Sequence, residues 1–125
     1  MVEVEVANRS GAAVDEKAAV ELARRVLAAE GIEDGDLGLV FVDAEEGRRL
    51  KREHLGWDES ATVLAFPIDA RDELPEGVPR QLGDIVVCPE AVGEEWRDPL
   101  VHGLLHLLGY DHGDEMDARE EALRA

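Results

Sequence analysis

The sequence has one cysteine, few aromatic residues and no long apolar run. Cys88 cannot form an intramolecular disulfide, which favours a reducing compartment, and we expect the cytoplasm. The N-terminus, MVEVEVANRS, lacks the cationic and apolar regions of a secretory signal. The apolar runs are a handful of residues long, far below the ~20 residues that span a bilayer. We therefore expect a soluble protein with no membrane partner.

Basic residues are also scarce, because 13 lysines and arginines face 30 aspartates and glutamates for a formal charge of −17. Such a charge repels polyanions at long range and counts against nonspecific nucleic-acid binding. A local basic patch can still act within a Debye length of roughly 8–10 Å. One basic cluster is present: Arg48, Arg49, Lys51 and Arg52. It either contacts a phosphate backbone or forms a solvated helix face paired with neighbouring glutamates.

The hydrophobic pattern predicts the order of the structural elements. Valines alternate with glutamates at the N-terminus, which is typical of a half-buried strand. Prolines and a glycine over residues 67–81 predict a loop. The predicted strands lie near 2–6, 37–42, 62–66 and 85–88, and the predicted helices cover 15–30, 43–54, 98–108 and a stretch from 114. This order predicts an α+β fold, one domain over residues 1–125 with helices packed on a four-stranded mixed sheet.

Three of the four histidines lie in the segment VHGLLHLLGYDH. His102 and His106 are four residues apart, so a helix places both imidazoles on one face. Gly109 can end that helix and let the chain return with His112. Three imidazoles around an open fourth position form the arrangement of a catalytic zinc site, although nickel or iron would bind the same donors. Asp111 either orients a ligand histidine or is a turn residue.

The histidine spacing, H-x-x-x-H-x-x-G-x-x-H, matches the metal-binding helix of zinc proteases with one difference. Those enzymes have a glutamate directly after the first histidine, which acts as the general base. The corresponding residue here is Gly103. The sequence therefore predicts a zincin-like metal-binding helix without the base for peptide hydrolysis, and a peptidase is the weakest of the functional interpretations.

The same segment closely resembles the signature of the YbeY family, the bacterial rRNA-maturation endoribonucleases. VLAFP at residues 63–67 is similar to the family's V-L-S-F-P, and LGDIV at residues 82–86 also matches, as do Met116, Glu120 and Leu123. The resemblance implies zinc-dependent cleavage of single-stranded RNA, with roles in 16S rRNA 3′-end maturation and ribosome quality control. It implies that one zinc ion is bound by three ligands: His102, His106 and His112.

The sequence departs from the family before the VLAFP strand. The family has Tyr-Arg where this chain has His54 and Leu55, and the family's arginine is thought to bind the phosphate. Arg52, one helical turn earlier, is the candidate replacement. The candidate catalytic residues are therefore His102, Asp111 and Arg52. Leu55 keeps an alternative open: a zinc-binding accessory factor of ribosomal particles with reduced or lost nuclease activity. The expected partners are single-stranded RNA and ribosomal particles, and not DNA.

Overall fold

The computed structural model describes residues 1–55, 63–70, 72–88, 96–110 and 113–124. The strands are β1 (Glu3–Asn8), β2 (Asp36–Phe41), β3 (Val63–Pro67) and β4 (Gln81–Val87). The helices are α1 (Glu16–Ala29), α2 (Ala44–Leu55), α3 (Arg97–Leu107) and α4 (Asp114–Arg124). Over these described ranges, the predicted order of strands and helices is confirmed.

The four strands form one sheet in the order β1-β2-β4-β3. β1 is parallel to β2, and β2 is parallel to β4, with Leu39 opposite Ile85. β3 is an antiparallel edge strand, in which Ala65 lies opposite Ile85. The prediction of an α+β fold with a mixed sheet is therefore confirmed.

β4 begins at Gln81, four residues before the predicted start at Ile85. Asp36 pairs with Gln81 and Leu37 with Gly83, so Leu82 is an extra residue in the ladder, as in a β-bulge. Gly83 has φ +140°, and a Cβ there would lie 2.4 Å from the carbonyl oxygen of Phe66. The bulge interrupts the alternation of buried and exposed residues, which is why the sequence pattern did not show the start of the strand.

The first helix has the predicted ends. The side chain of Asp15 accepts a hydrogen bond from the backbone N–H of Ala18 and caps the N-terminus. Gly31, with φ +83°, follows the last turn. Val26 is buried, whereas Ala29 in the last turn is exposed. The residues of α1 that are buried are Ala19, Ala23, Val26 and Leu27.

The helices cover the two faces of the sheet differently. α1, α3 and α4 pack on one face and share the main core with Leu39, Phe41 and Ile85. α2 packs on the other face, over a small cluster that includes Val86 and Cys88. Cys88 is 1% exposed and is part of this core. No helix in the described ranges combines the length and apolar character needed to cross a bilayer.

Candidate metal centre

The helix that carries His102 and His106 is held on several sides. α3 packs against β3, β4, α1 and α4. It begins at Arg97, close to the predicted start at Asp98, and ends before Gly109, which has φ +100°. Both histidines remain half-buried, while the residues of the helix that face the core are Leu100, Val101, Gly103, Leu104, Leu105 and Leu107.

His102 and His106 point their Nε2 atoms at each other. The two Nε2 atoms lie 3.1 Å apart. The ring centroids are 4.6 Å apart, and the ring planes are inclined by 80°. Helical i, i+4 spacing therefore brings two nitrogen donors to one point, as the sequence predicts.

The other nitrogen of each ring faces a group that can only accept a hydrogen bond. Nδ1 of His102 contacts Oε1 of Glu120 in α4. Nδ1 of His106 lies 2.9 Å from the backbone carbonyl oxygen of Tyr110. With the hydrogen placed on Nδ1 of each ring, the tautomer that these acceptor oxygens favour, both Nε2 atoms would present a lone pair to a shared cation. Metal-bound histidines are commonly oriented in this way, by a carboxylate or carbonyl on the nitrogen away from the metal.

The pair fits a shared divalent cation. In that tautomer two lone pairs would face each other at 3.1 Å, and a cation between them would be attracted to both. Two nitrogens bound at 2.0–2.1 Å to a tetrahedral zinc would lie about 3.3 Å apart, close to the separation found here. In the ranges that the structure describes, no group of three or more His, Cys, Asp or Glu side chains could hold a metal ion. The predicted third ligand, His112, and Asp111 lie outside those ranges.

Gly103 marks the point where α3 touches the sheet. A Cβ at this position would lie 2.7 Å from Cγ2 of Val63 and 3.4 Å from Cγ2 of Ile85. The residue after His102 therefore points into the core and has no room for a glutamate. This packing gives a physical reason for the departure from the zinc-protease pattern.

α4 supports His102, and sequence reasoning did not assign that role to any of its residues. Glu120 contacts His102 directly. Arg119 forms an ion pair with Glu30 at the end of α1. The hydrogen bond to Glu30 and the negative charge of Glu30 raise the pKa of Arg119, and Tyr110 makes a smaller contribution in the same direction. The backbone carbonyl oxygen of Tyr110 also lies against Nδ1 of His106. The one sequence signal that could have indicated this role is that Glu120 lies on the same helix face as Met116 and Leu123.

The structure does not place Arg52 beside the histidine pair. Arg52 is exposed on α2, which packs on the opposite face of the sheet from α3. The side chains of His54 and Leu55 lie outside the described part of the structure. Arg52 therefore has no demonstrated contact with the site in which we expected it to act.

Comparison with known proteins identifies the family. The family model for endoribonuclease YbeY matches residues 5–124. The chain belongs to the endoribonuclease YbeY family. Endoribonuclease YbeY of Alcanivorax borkumensis is 38% identical, over 94% of this chain and 74% of that protein. Endoribonuclease YbeY of Salinispora tropica is 36% identical, over 94% of this chain and 87% of that protein.

The fold is also found among solved structures. The solution structure of a protein from Thermotoga maritima matches with a TM-score of 0.56 and 24% sequence identity. The match covers 98% of this chain and 86% of that one. At this identity, the likeness supports the fold alone.

Proposed function

We propose that this chain is a metal-dependent endoribonuclease that cleaves single-stranded RNA, with one zinc ion bound by His102, His106 and His112. The observation that carries the proposal is the pair of Nε2 atoms 3.1 Å apart, each on a ring whose Nδ1 faces an acceptor. Membership of a family whose relatives are named endoribonucleases supports RNA as the substrate.

In this proposal, the chain's own residues position the ligands. Glu120 fixes the tautomer and ring plane of His102, and the Tyr110 carbonyl does the same for His106. Asp111, beside His112, is proposed to do so for the third ligand. A bound zinc ion supplies a Lewis acid for a phosphoryl oxygen and lowers the pKa of a bound water.

The cellular role follows from the family resemblance. We propose maturation of the 16S rRNA 3′ end and ribosome quality control, with ribosomal particles as partners. The single cysteine supports a cytoplasmic location.

The direct test incubates zinc-loaded protein with end-labelled single-stranded RNA, and with DNA of the same sequence. We expect cleavage of RNA only, and no cleavage by a His106→Ala variant purified in parallel. Circular dichroism and elemental analysis check that the variant folds and lacks zinc. If the wild-type protein holds zinc and leaves RNA uncut, the proposal is wrong.

A second candidate function is a zinc-binding accessory factor of ribosomal particles without nuclease activity. The observation that favours it is Leu55, at the place where the resemblance expects an arginine. A Leu55→Arg variant separates the two functions. Cleavage gained only in the variant supports the accessory factor, whereas cleavage by the wild-type protein excludes it.

A further inference from the structure

α4 is a short and mostly polar helix. It spans Asp114–Arg124, and among its described side chains the buried apolar ones are Met116 and Leu123. A helix of this length is only marginally stable in water by itself. Two apolar side chains fix its distance from the core better than its rotation about its own axis. Its polar contacts with neighbouring elements therefore decide which way a residue such as Glu120 faces.

Two polar contacts tie α4 to α1. Arg119 forms an ion pair with Glu30, the residue that directly follows α1. Arg25 donates a hydrogen bond from Nη2 to the backbone carbonyl oxygen of Leu123 at 3.0 Å. The first contact lies one residue before Glu120 in the sequence, and the second lies three residues after it. The first helix therefore holds α4 on both sides of Glu120.

The contact with Glu30 determines where Arg119 can lie. The side chain of Glu30 is almost fully buried, and that of Arg119 is 35% exposed. Nε of Arg119 is buried and has no hydrogen-bond partner in the ranges that the structure describes. Without the carboxylate of Glu30, this cation would be partly buried and unpaired, which is unfavourable. The guanidinium group would then move toward solvent and draw the backbone of α4 with it.

Glu120 shares any such movement because it is the next residue along the helix. Consecutive residues of an α-helix are about 100° apart around its axis, so a rotation of α4 displaces both side chains together. Oε1 of Glu120 contacts Nδ1 of His102. A hydrogen bond weakens steeply when its distance and angle depart from the preferred range. The contact with His102 is therefore sensitive to the rotation of α4 that Arg119 sets.

We propose that Glu30 is a positioning residue for His102, and that it acts through Arg119 and the rotation of α4. By this route the end of α1 influences which ring nitrogen of His102 carries the hydrogen, since that choice depends on the partner of the other nitrogen. The coupling between Glu30 and His102 rests on these contacts, whereas its importance for zinc binding rests on the proposed function.

The test follows the ring of His102 in the metal-free protein. Histidines are labelled with nitrogen-15, and NMR in mildly alkaline solution, where an ordinary imidazole is neutral, reports how the hydrogen is shared between Nδ1 and Nε2. Glu30→Gln removes the charge with little change of shape, and Glu33→Gln is the matched control at an exposed position. Glu120→Gln provides the spectrum expected when the contact itself is weakened. Glu30→Asp replaces Glu30→Gln if circular dichroism shows that the latter does not fold.

We expect Glu30→Gln to move hydrogen from Nδ1 toward Nε2 of His102, in the same direction as Glu120→Gln, and Glu30→Asp to do so by less. Glu33→Gln should give the wild-type spectrum. A loss of stability alone does not change the ring of a folded molecule, so this measurement separates positioning from structural support. If the folded variant at Glu30 keeps the wild-type ring-nitrogen shifts of His102, the proposal is wrong.

Zinc affinity provides a second measurement, made by competition with a chromophoric chelator. Glu30→Gln should weaken binding about threefold or more in the wild-type background, and less than about twofold when Glu120 is already replaced by glutamine, because the effect passes through that carboxylate. Equal losses in the two backgrounds would show that Glu30 acts by another route and would overturn the proposal.

The positioning role and the nuclease function fail in distinguishable ways. If the wild-type protein binds no zinc and cleaves no RNA, but Glu30→Gln still changes the ring of His102, the positioning proposal stands without the nuclease. If the wild-type protein cleaves RNA with zinc bound, but Glu30→Gln leaves the ring-nitrogen shifts and the zinc affinity unchanged, the nuclease proposal stands and the positioning proposal is wrong.

Discussion

Glu120 in α4 contacts the Nδ1 atom of His102 in α3, eighteen residues earlier in the chain. The carboxylate is largely shielded from solvent, with 14% of the side chain exposed. It therefore fixes the ring of His102 more firmly than a surface carboxylate could. The geometry of the histidine pair depends on how α4 docks, as well as on the spacing within α3.

Replacing that carboxylate should weaken metal binding. Glu120→Gln keeps an oxygen acceptor but removes the charge that stabilises the imidazole N–H, and we expect zinc affinity to fall about tenfold or more. Competition with a chromophoric chelator measures the affinity. Glu121→Gln, at the exposed neighbouring position, is the matched control and should bind zinc like the wild-type protein. Equal affinities for the two variants would contradict a supporting role for Glu120.

The contact between α3 and the sheet can be tested at Gly103. Gly103→Ala places a methyl group against Val63, and we expect overpacking to cost about 1–3 kcal/mol of unfolding free energy. Val63→Ala opens the space, so the double variant should be more stable than the sum of the two single changes predicts. Urea denaturation measures all three variants. Strict additivity would show that the methyl group meets no obstacle.

The ion pair between Glu30 and Arg119 should contribute to stability. The side chain of Glu30 is 3% exposed and that of Arg119 is 35% exposed, so solvent screens one partner and reduces the cost of breaking the pair. We expect Glu30→Gln to lower the unfolding free energy by about 1–3 kcal/mol. The exposed Glu33→Gln is the control.

The difference in unfolding free energy between the wild-type protein and Glu30→Gln should depend on pH in one direction only. The ion pair raises the pKa of Arg119 above its ordinary value. Its contribution is therefore fully present below the pKa of the unfolded chain and is lost only as the pH rises through the raised value. The difference between Glu30→Gln and the wild-type protein should stay constant from neutral into mildly alkaline solution. A difference that shrinks over that range would argue against the pair as its source.

Removal of the metal should lower thermal stability. A ligand that binds only the folded chain stabilises it by about 2.7 kcal/mol when present at a hundredfold excess over Kd. Scanning calorimetry with zinc and with chelator should give different Tm values for the wild-type protein and a single value for His106→Ala. If the two proteins respond alike to zinc, the metal acts elsewhere.

The sequence predicted the elements whose signals are local. Asp15 and Gly31 stand at the two ends of α1, and an aspartate cap and a glycine stop are readable from neighbouring residues alone. The i, i+4 spacing of His102 and His106 is equally local, and the structure brings their Nε2 atoms together.

The features that the sequence did not predict depend on contacts between distant segments. The start of β4 was missed because the bulge at Leu82 breaks the period of two. The role of Glu120 required knowledge of how α4 packs against α3, and spacing within either helix does not contain it. Arg52 was expected near the histidines because it is close to Leu55 in sequence, yet its helix lies across the sheet from them.

The position of α4 also bears on the order of events during synthesis. His102 and His106 leave the ribosome before Asp114–Arg124 does, so for a time the two imidazoles exist without Glu120 to orient His102. A nascent chain at that stage has the donors but lacks the support that sets their tautomers. If the chain binds the proposed metal, we therefore expect tight binding only after α4 has emerged and docked.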